Sequence, residues 1–165
     1  MSSILSKIGL RAASGEQPPN FVAGFLVANW TLAYLIMSTR ISKMYYGLDH
    51  NATPREDLSK YGEAAVKAGK ISQRTLEKLK RQEAAHANAV EGYPLFVASM
   101  LLSVVAGVPH ETINTIGVWY TLSRVAFSLC YSHIESESLS FLRSAAWWSG
   151  NISCITGLVL AGKKL

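Results

Sequence analysis

Three stretches of this chain run for about twenty residues without a Lys, Arg, Asp or Glu. "QPPNFVAGFLVANWTLAYLIMST" lies between Glu16 and Arg40, and "SAAWWSGNISCITGLVLAG" lies between Arg143 and Lys163. The third, from Glu91 to Glu111, holds only His110 near its end. A helix needs about 20 mainly apolar residues to cross a bilayer, so each stretch qualifies. A fourth candidate, Thr112 to Tyr131, has the length but carries Arg124. A soluble bundle would show a charged face along every helix, and these runs interrupt their apolar residues with Ser, Thr, Asn and Gly instead. Composition agrees, because 16% of the 165 residues are charged against about 25% in a typical soluble domain.

The expected fold is therefore all-α, an integral membrane four-helix bundle with spans at about 20–42, 72–106, 111–133 and 140–162. An N-terminal tail, 1–17, precedes a single membrane domain, 18–162. The connection 43–71 and the first turns of the second helix hold most of the positive charge, from Lys43 through Arg55, Lys60, Lys67 and Lys70 to Arg81. The positive-inside tendency puts that side in the cytoplasm and both termini on the other. The net charge of +5 is then mainly membrane-orienting. No nucleic acid partner is expected, since no basic run is interleaved with aromatics.

Local signals mark the helix ends. Thr53, Pro54 and Glu56 read as a capping box with proline at the first helical position, and Gly69 suits the end of that helix. A new helix starts near Ser72 and runs on past Pro94, where a kink is expected. From Ser72 to Ala106 it would be about 50 Å long, against hydrocarbon about 30 Å thick. Its charged first turns must project into the cytoplasm. Gly24, Ala28, Ala98, Gly117 and Gly157 allow close helix approach in lipid. Cys130 and Cys154 lack CxxC spacing and read as small buried residues. The tail "MSSILSKIGLRAAS" reads as interfacial or frayed, with a weak mitochondrial address as the alternative.

Polar residues converge at one depth. Arg81, Asn88 and Glu91 share one face of the second helix, and the last two enter the bilayer from the cytoplasmic side. Alternating spans bring Arg40, Tyr131, Arg143 and Ser144 to the same level, with Arg124 almost two turns deeper. Ionisable groups at the centre of a span cost at least about 2.5 kcal/mol each and normally face the bundle interior with a partner. Such a ring suits a small zwitterionic or anionic ligand. Structural alternatives remain open at this point. Arg40 and Arg143 could snorkel to headgroups, Arg81 could pair with Glu77, Arg124 could pair with Glu91, and His86 reads as solvated. No metal cluster, phosphate loop or nucleophile–base triad competes.

"RQEAAHANAVEGYPLF" resembles the second-helix signature R-x-x-x-x-x-x-N-x-x-E-x-x-P-L-F of the MAPEG family, the membrane-associated proteins of eicosanoid and glutathione metabolism. "SRVAFSLCY" is similar to its third-helix R-x-x-[HY]-x-x-x-Y, and "FLRSAAW" to its fourth-helix L-R-S/T. The resemblance implies a homotrimer in the lipid bilayer with glutathione, as co-substrate, bound between subunits. It implies that Asn88 and Glu91 hold the tripeptide's polar backbone and amino end, that Arg40 of a neighbour meets a carboxylate, and that Tyr131 lines the pocket. Arg124 and Arg81 join this binding group, Arg81 as the replacement for an arginine missing at Ala84. Arg143 would stabilise the thiolate, with Ser144 beside it. Ala84, Ala87 and Phe127 stand where specialised animal synthases carry arginines and a ring donor. The chain therefore resembles a general member of the family.

The expected activity is that of a glutathione transferase or peroxidase acting on lipophilic electrophiles or lipid hydroperoxides. The endoplasmic reticulum is the expected membrane, with the mitochondrial outer membrane as the alternative. The rival within the family is a non-catalytic lipid-binding scaffold. A small transporter or channel is disfavoured by the lack of inverted repeats.

Overall fold

The computed structural model describes residues 4–7, 9–11, 17–134, 136 and 139–165, and every regular element among them is helical. A short α1, Ile4–Lys7, belongs to the tail, most of which lies outside the described residues, as does much of the expected address signal. Asn114 ties the described part down. Its side-chain nitrogen donates to the carbonyls of Gly9 and Pro19, both at 2.9 Å.

The first long helix is not uniform. α2, Val22–Thr31, passes into a π-helical turn, Leu32–Ile36, and then breaks before α3, Arg40–Tyr45. The wide turn joins the Met37 amide to the Leu32 carbonyl at 3.0 Å. Gly47, at φ 66°, ends α3 in the left-handed conformation that other residues resist.

The connection after α3 winds as a 3-10 turn, Pro54–Glu56, a π turn, Asp57–Tyr61, and α4, Gly62–Lys67. The expected capping box does not form. Proline sits at the first position as expected, but Thr53 makes no side-chain cap because the chain enters a tight 3-10 turn. Its hydroxyl instead lies 3.5 Å from the Tyr61 hydroxyl, and Glu56 pairs with Lys60 at 3.3 Å. Gly69 does end α4, at φ 69°. Leu48, Leu58, Ala65, Leu76 and Leu79 form a small core that seats this connection on the next helix.

A buried charge pair reinforces that seat. Lys43 at the end of the first helix lies 2.8 Å from Asp57, whose side chain is wholly buried. Asp57 also accepts the His50 backbone amide at 3.0 Å, and Lys43 reaches Glu83 at 3.5 Å. The His50 ring stacks on Tyr61 with centroids 3.7 Å apart.

α5, Gln73–Val105, has 33 residues and contains Pro94 without interruption of the helix. Ser72 caps it, accepting the Thr75 amide at 3.1 Å. α6, His110–His133, and α7, Ser140–Gly162, complete the chain. α5, α6 and α7 pack together most extensively, and α2 lies against α5 and α6. Phe96, Met100, Ile113, Tyr120 and Cys154 fill their shared interior. Cys154 is thus buried, and both cysteines are free.

Two stretches are long and apolar enough to cross a membrane, Val22–Tyr45 and Gln73–Val105. α6 and α7 have 24 and 23 residues but a more diluted hydropathy. Much of what dilutes it points inward, since Asn114, Ser123, Arg124, Asn151 and Ser153 are all buried. Large apolar side chains such as Leu35, Leu101, Trp119, Leu129, Ile152 and Val159 face outward.

The small residues divide by role. Gly24 has open space around it, whereas Gly157 and Gly117 let neighbours approach within the chain. Ser99 and Ser103 on α5 donate to the Cys154 and Gly157 carbonyls of α7, at 2.8 and 3.3 Å. A Cβ at Gly157 would collide with the Ser99 hydroxyl. Gly157→Ala is therefore expected to break that hydrogen bond and lower stability by about 1–3 kcal/mol, read as an earlier thermal transition in detergent.

Candidate functional site

An open pocket of about 240 Å³ lies where α5, α6 and α7 meet, lined by Asn88, Phe127, Tyr131, Arg143, Ser144, Trp147 and Trp148. Helical repeat explains the lining. Phe127 and Tyr131 are four residues apart on α6, and Arg143 and Trp147, like Ser144 and Trp148, are four apart on α7. Four of the sequence-predicted residues, Asn88, Tyr131, Arg143 and Ser144, are thus brought to one wall.

Arg143 lies with its guanidinium carbon 4.3 Å from the centre of the Tyr131 ring. The Phe127 and Tyr131 rings meet edge to face at 5.4 Å. No carboxylate pairs with Arg143 among the described residues. Its charge rests on a ring face, leaving its N–H groups for an anion. Such a cation beside a thiol favours the thiolate, which is the nucleophilic form.

Arg124 sits one layer behind this wall and is 2% exposed. Its two terminal nitrogens donate to the side-chain oxygens of Asn151, at 2.6 Å, and Asn88, at 3.4 Å. The Tyr120 ring centre is 4.9 Å from its guanidinium carbon. Gly92 and Gly150 leave the slot for this side chain, since a Cβ at Gly92 would stand 3.1 Å from its terminal nitrogen. The pairing with Glu91 that the sequence left open is absent. Glu91 is exposed and makes no ion pair among the described residues.

Arg40 lies elsewhere, in a wider cleft of about 580 Å³ with Lys43, Asp49, Asn51, Arg55, Glu83, His86, Ala87 and Val90. It reaches Asp49 at 3.6 Å and Asn51 at 3.3 Å. At about 100° per residue, Glu83, His86 and Val90 fall on the side of α5 opposite Asn88. Arg40 and Arg143 therefore open onto different faces of one chain. Arg81 is half-buried two turns before Asn88, on the same face of α5.

His86 is not simply solvated. Its Nδ1 lies 2.9 Å from the Ala33 carbonyl, within the stretch where the π turn interrupts the regular ladder. Sequence reasoning also passed over Trp147 and Trp148 as pocket walls, although their i+4 spacing from Arg143 and Ser144 was the available signal. The Lys43–Asp57 pair gave no comparable signal, because its partners are joined by an irregular connection.

No curated protein and no solved structure matches the chain. The model of the MAPEG family does match, over residues 20–163. That span contains all four long helices and both the Arg40 cleft and the Arg143 pocket, and with the two apolar helices it indicates membrane association. Over nearly its whole length, this chain belongs to the MAPEG family.

Proposed function

We propose that this protein is a membrane-bound glutathione transferase or peroxidase, attacking lipophilic electrophiles or lipid hydroperoxides with a glutathione thiolate held by Arg143. The observation that carries the reading is Arg143 poised over Tyr131, without a carboxylate partner among the described residues, in a pocket shared with Asn88 and Ser144. Asn88 and Glu91, with Arg81 nearby, bind the tripeptide, and Ser144 contacts its thiol. The aromatic wall of Phe127, Trp147 and Trp148 receives the lipophilic partner from the bilayer.

The proposed assembly is a homotrimer of four-span subunits, each a single domain over 18–162, in the endoplasmic reticulum or the mitochondrial outer membrane. Two observations support it. The Arg143 pocket, at about 240 Å³, is below the roughly 300–1,000 Å³ of a self-sufficient ligand site. Arg40 opens on the far side of α5 and would reach a carboxylate of this ligand from a neighbouring subunit.

Glutathione titration of the detergent-purified protein, followed by ultraviolet thiolate absorbance and native mass spectrometry, tests both parts. Saturable absorbance from a trimeric species is expected. A monomer as the dominant species would overturn the shared site. Saturable lipid binding without any glutathione absorbance would instead establish the scaffold reading, which the apolar side chains at Ala84, Ala87 and Phe127 favour.

A further inference from the structure

We propose that Arg124 is a positioning residue that fixes which end of the Asn88 amide faces the pocket, so that Asn88 receives an acceptor oxygen of the ligand. The inference rests on the glutathione reading above and specifies the ligand chemistry at one of its residues. A side-chain amide has an acceptor end and a two-donor end, and rotation by half a turn exchanges them. A guanidinium is donor-only, so it meets the amide through oxygen alone. Arg124 does this with Asn88 at 3.4 Å and with Asn151 at 2.6 Å.

The guanidinium is itself fixed. It is 2% exposed, enclosed between Gly92 and Gly150, and faces the Tyr120 ring. No carboxylate among the described residues pairs with it. Buried in this way, it lies behind Asn88 and acts through it. The Asn88 nitrogen is the opposite end of the amide and makes no hydrogen bond among the described residues, while Asn88 lines the pocket. Its two N–H groups are thus the donors left for a ligand carboxylate or peptide carbonyl. An ammonium group would find no acceptor there.

Glutathione affinity, measured by calorimetry on the assembled protein in detergent with a thermal melt of each variant, tests the assignment. Asn88→Asp keeps the oxygen that Arg124 needs but replaces the donors with a second oxygen. It is expected to bind glutathione more weakly than Asn88→Ala, by at least about fivefold. Equal or tighter binding by Asn88→Asp would mean that the ligand presents a donor, and would overturn the inference. Arg124→Met is expected to weaken binding about tenfold beside native Asn88 and less than twofold in Asn88→Ala, because the two substitutions act through one contact. Equal losses in both backgrounds would overturn the indirect role, as would a lowered melting temperature with unchanged affinity of the folded protein. Arg124→Lys, which remains donor-only, is expected to retain affinity better than Arg124→Met. Wild-type protein that binds no glutathione would overturn the functional reading itself, whatever the variants do.

Discussion

Arg143→Ala is expected to abolish thiolate absorbance at neutral pH while leaving most glutathione binding in place. An ordinary thiol with a pKa near 8.5 is only about 3% ionised at pH 7. If the guanidinium lowers that value by about two units, roughly three quarters of the bound thiol is ionised. Removing it should therefore reduce thiolate, and a rate proportional to thiolate, by about 20–30-fold. Arg143→Lys retains a point charge but loses the planar stacking on Tyr131, so an intermediate loss is expected. Ser144→Ala should do less, since a hydroxyl contact stabilises an anion less than a full charge does. Stopped-flow absorbance on the three variants separates them. A wild-type thiolate signal that survives Arg143→Ala would remove the central role of this residue.

Asp57→Ala is expected to cost about 3 kcal/mol, the lower end for breaking a buried ion pair, because Lys43 keeps a longer contact with Glu83 at 3.5 Å. Lys43 would lose its 2.8 Å partner while its side chain remains only 8% exposed. Burial pushes the Asp57 carboxyl up, but hydrogen bonds from Lys43 and the His50 amide, with the Lys43 charge, outweigh it and hold the carboxyl below its ordinary 3.8. A lowered folded-state value means that unfolding takes up protons in acid. The stabilisation is complete above the unfolded value of 3.8 and disappears as pH falls through the lower folded value. Wild-type melting temperature should therefore drop steeply below about pH 4, and Asp57→Asn should be less stable at pH 7 with a shallower drop. Replacing Lys43 and Asp57 together by apolar residues is expected to recover much of the loss. If Asp57→Ala melts like the wild type at pH 7, the pair does not hold the connection in place.

What could be read from the sequence and what could not divide along a physical line. The helix start near Ser72 and the stop at Gly69 were legible because helix ends depend on a few neighbouring residues. The meeting of Asn88, Tyr131, Arg143 and Ser144 was legible because span alternation fixes depth, and depth is one coordinate. Direction around the helix axis is the other coordinate, and hydropathy says little about it. That is why the expectation for Arg40 concerned its level alone and did not show that it opens onto another face, beside His86 and Ala87. The same gap concealed Arg124 behind Asn88. Thr53 failed as a capping box because the connection is wound by the tertiary pull of Leu58 and Asp57 into its small core, which overrides a local four-residue pattern.

Among the described residues the two buried cations, Lys43 and Arg124, differ in how they are solvated, and this divides the molecule by its response to acid. Lys43 is neutralised by a carboxylate, so protons can dismantle its environment. No carboxylate among the described residues pairs with Arg124; two amide oxygens and a tyrosine ring surround it instead. A guanidinium held by such dipoles is a permanent fixture of the interior field. Acid can thus loosen the connection over 43–71 by removing the Asp57 charge, while behind the pocket among the described residues there is no ion pair of Arg124 for it to break.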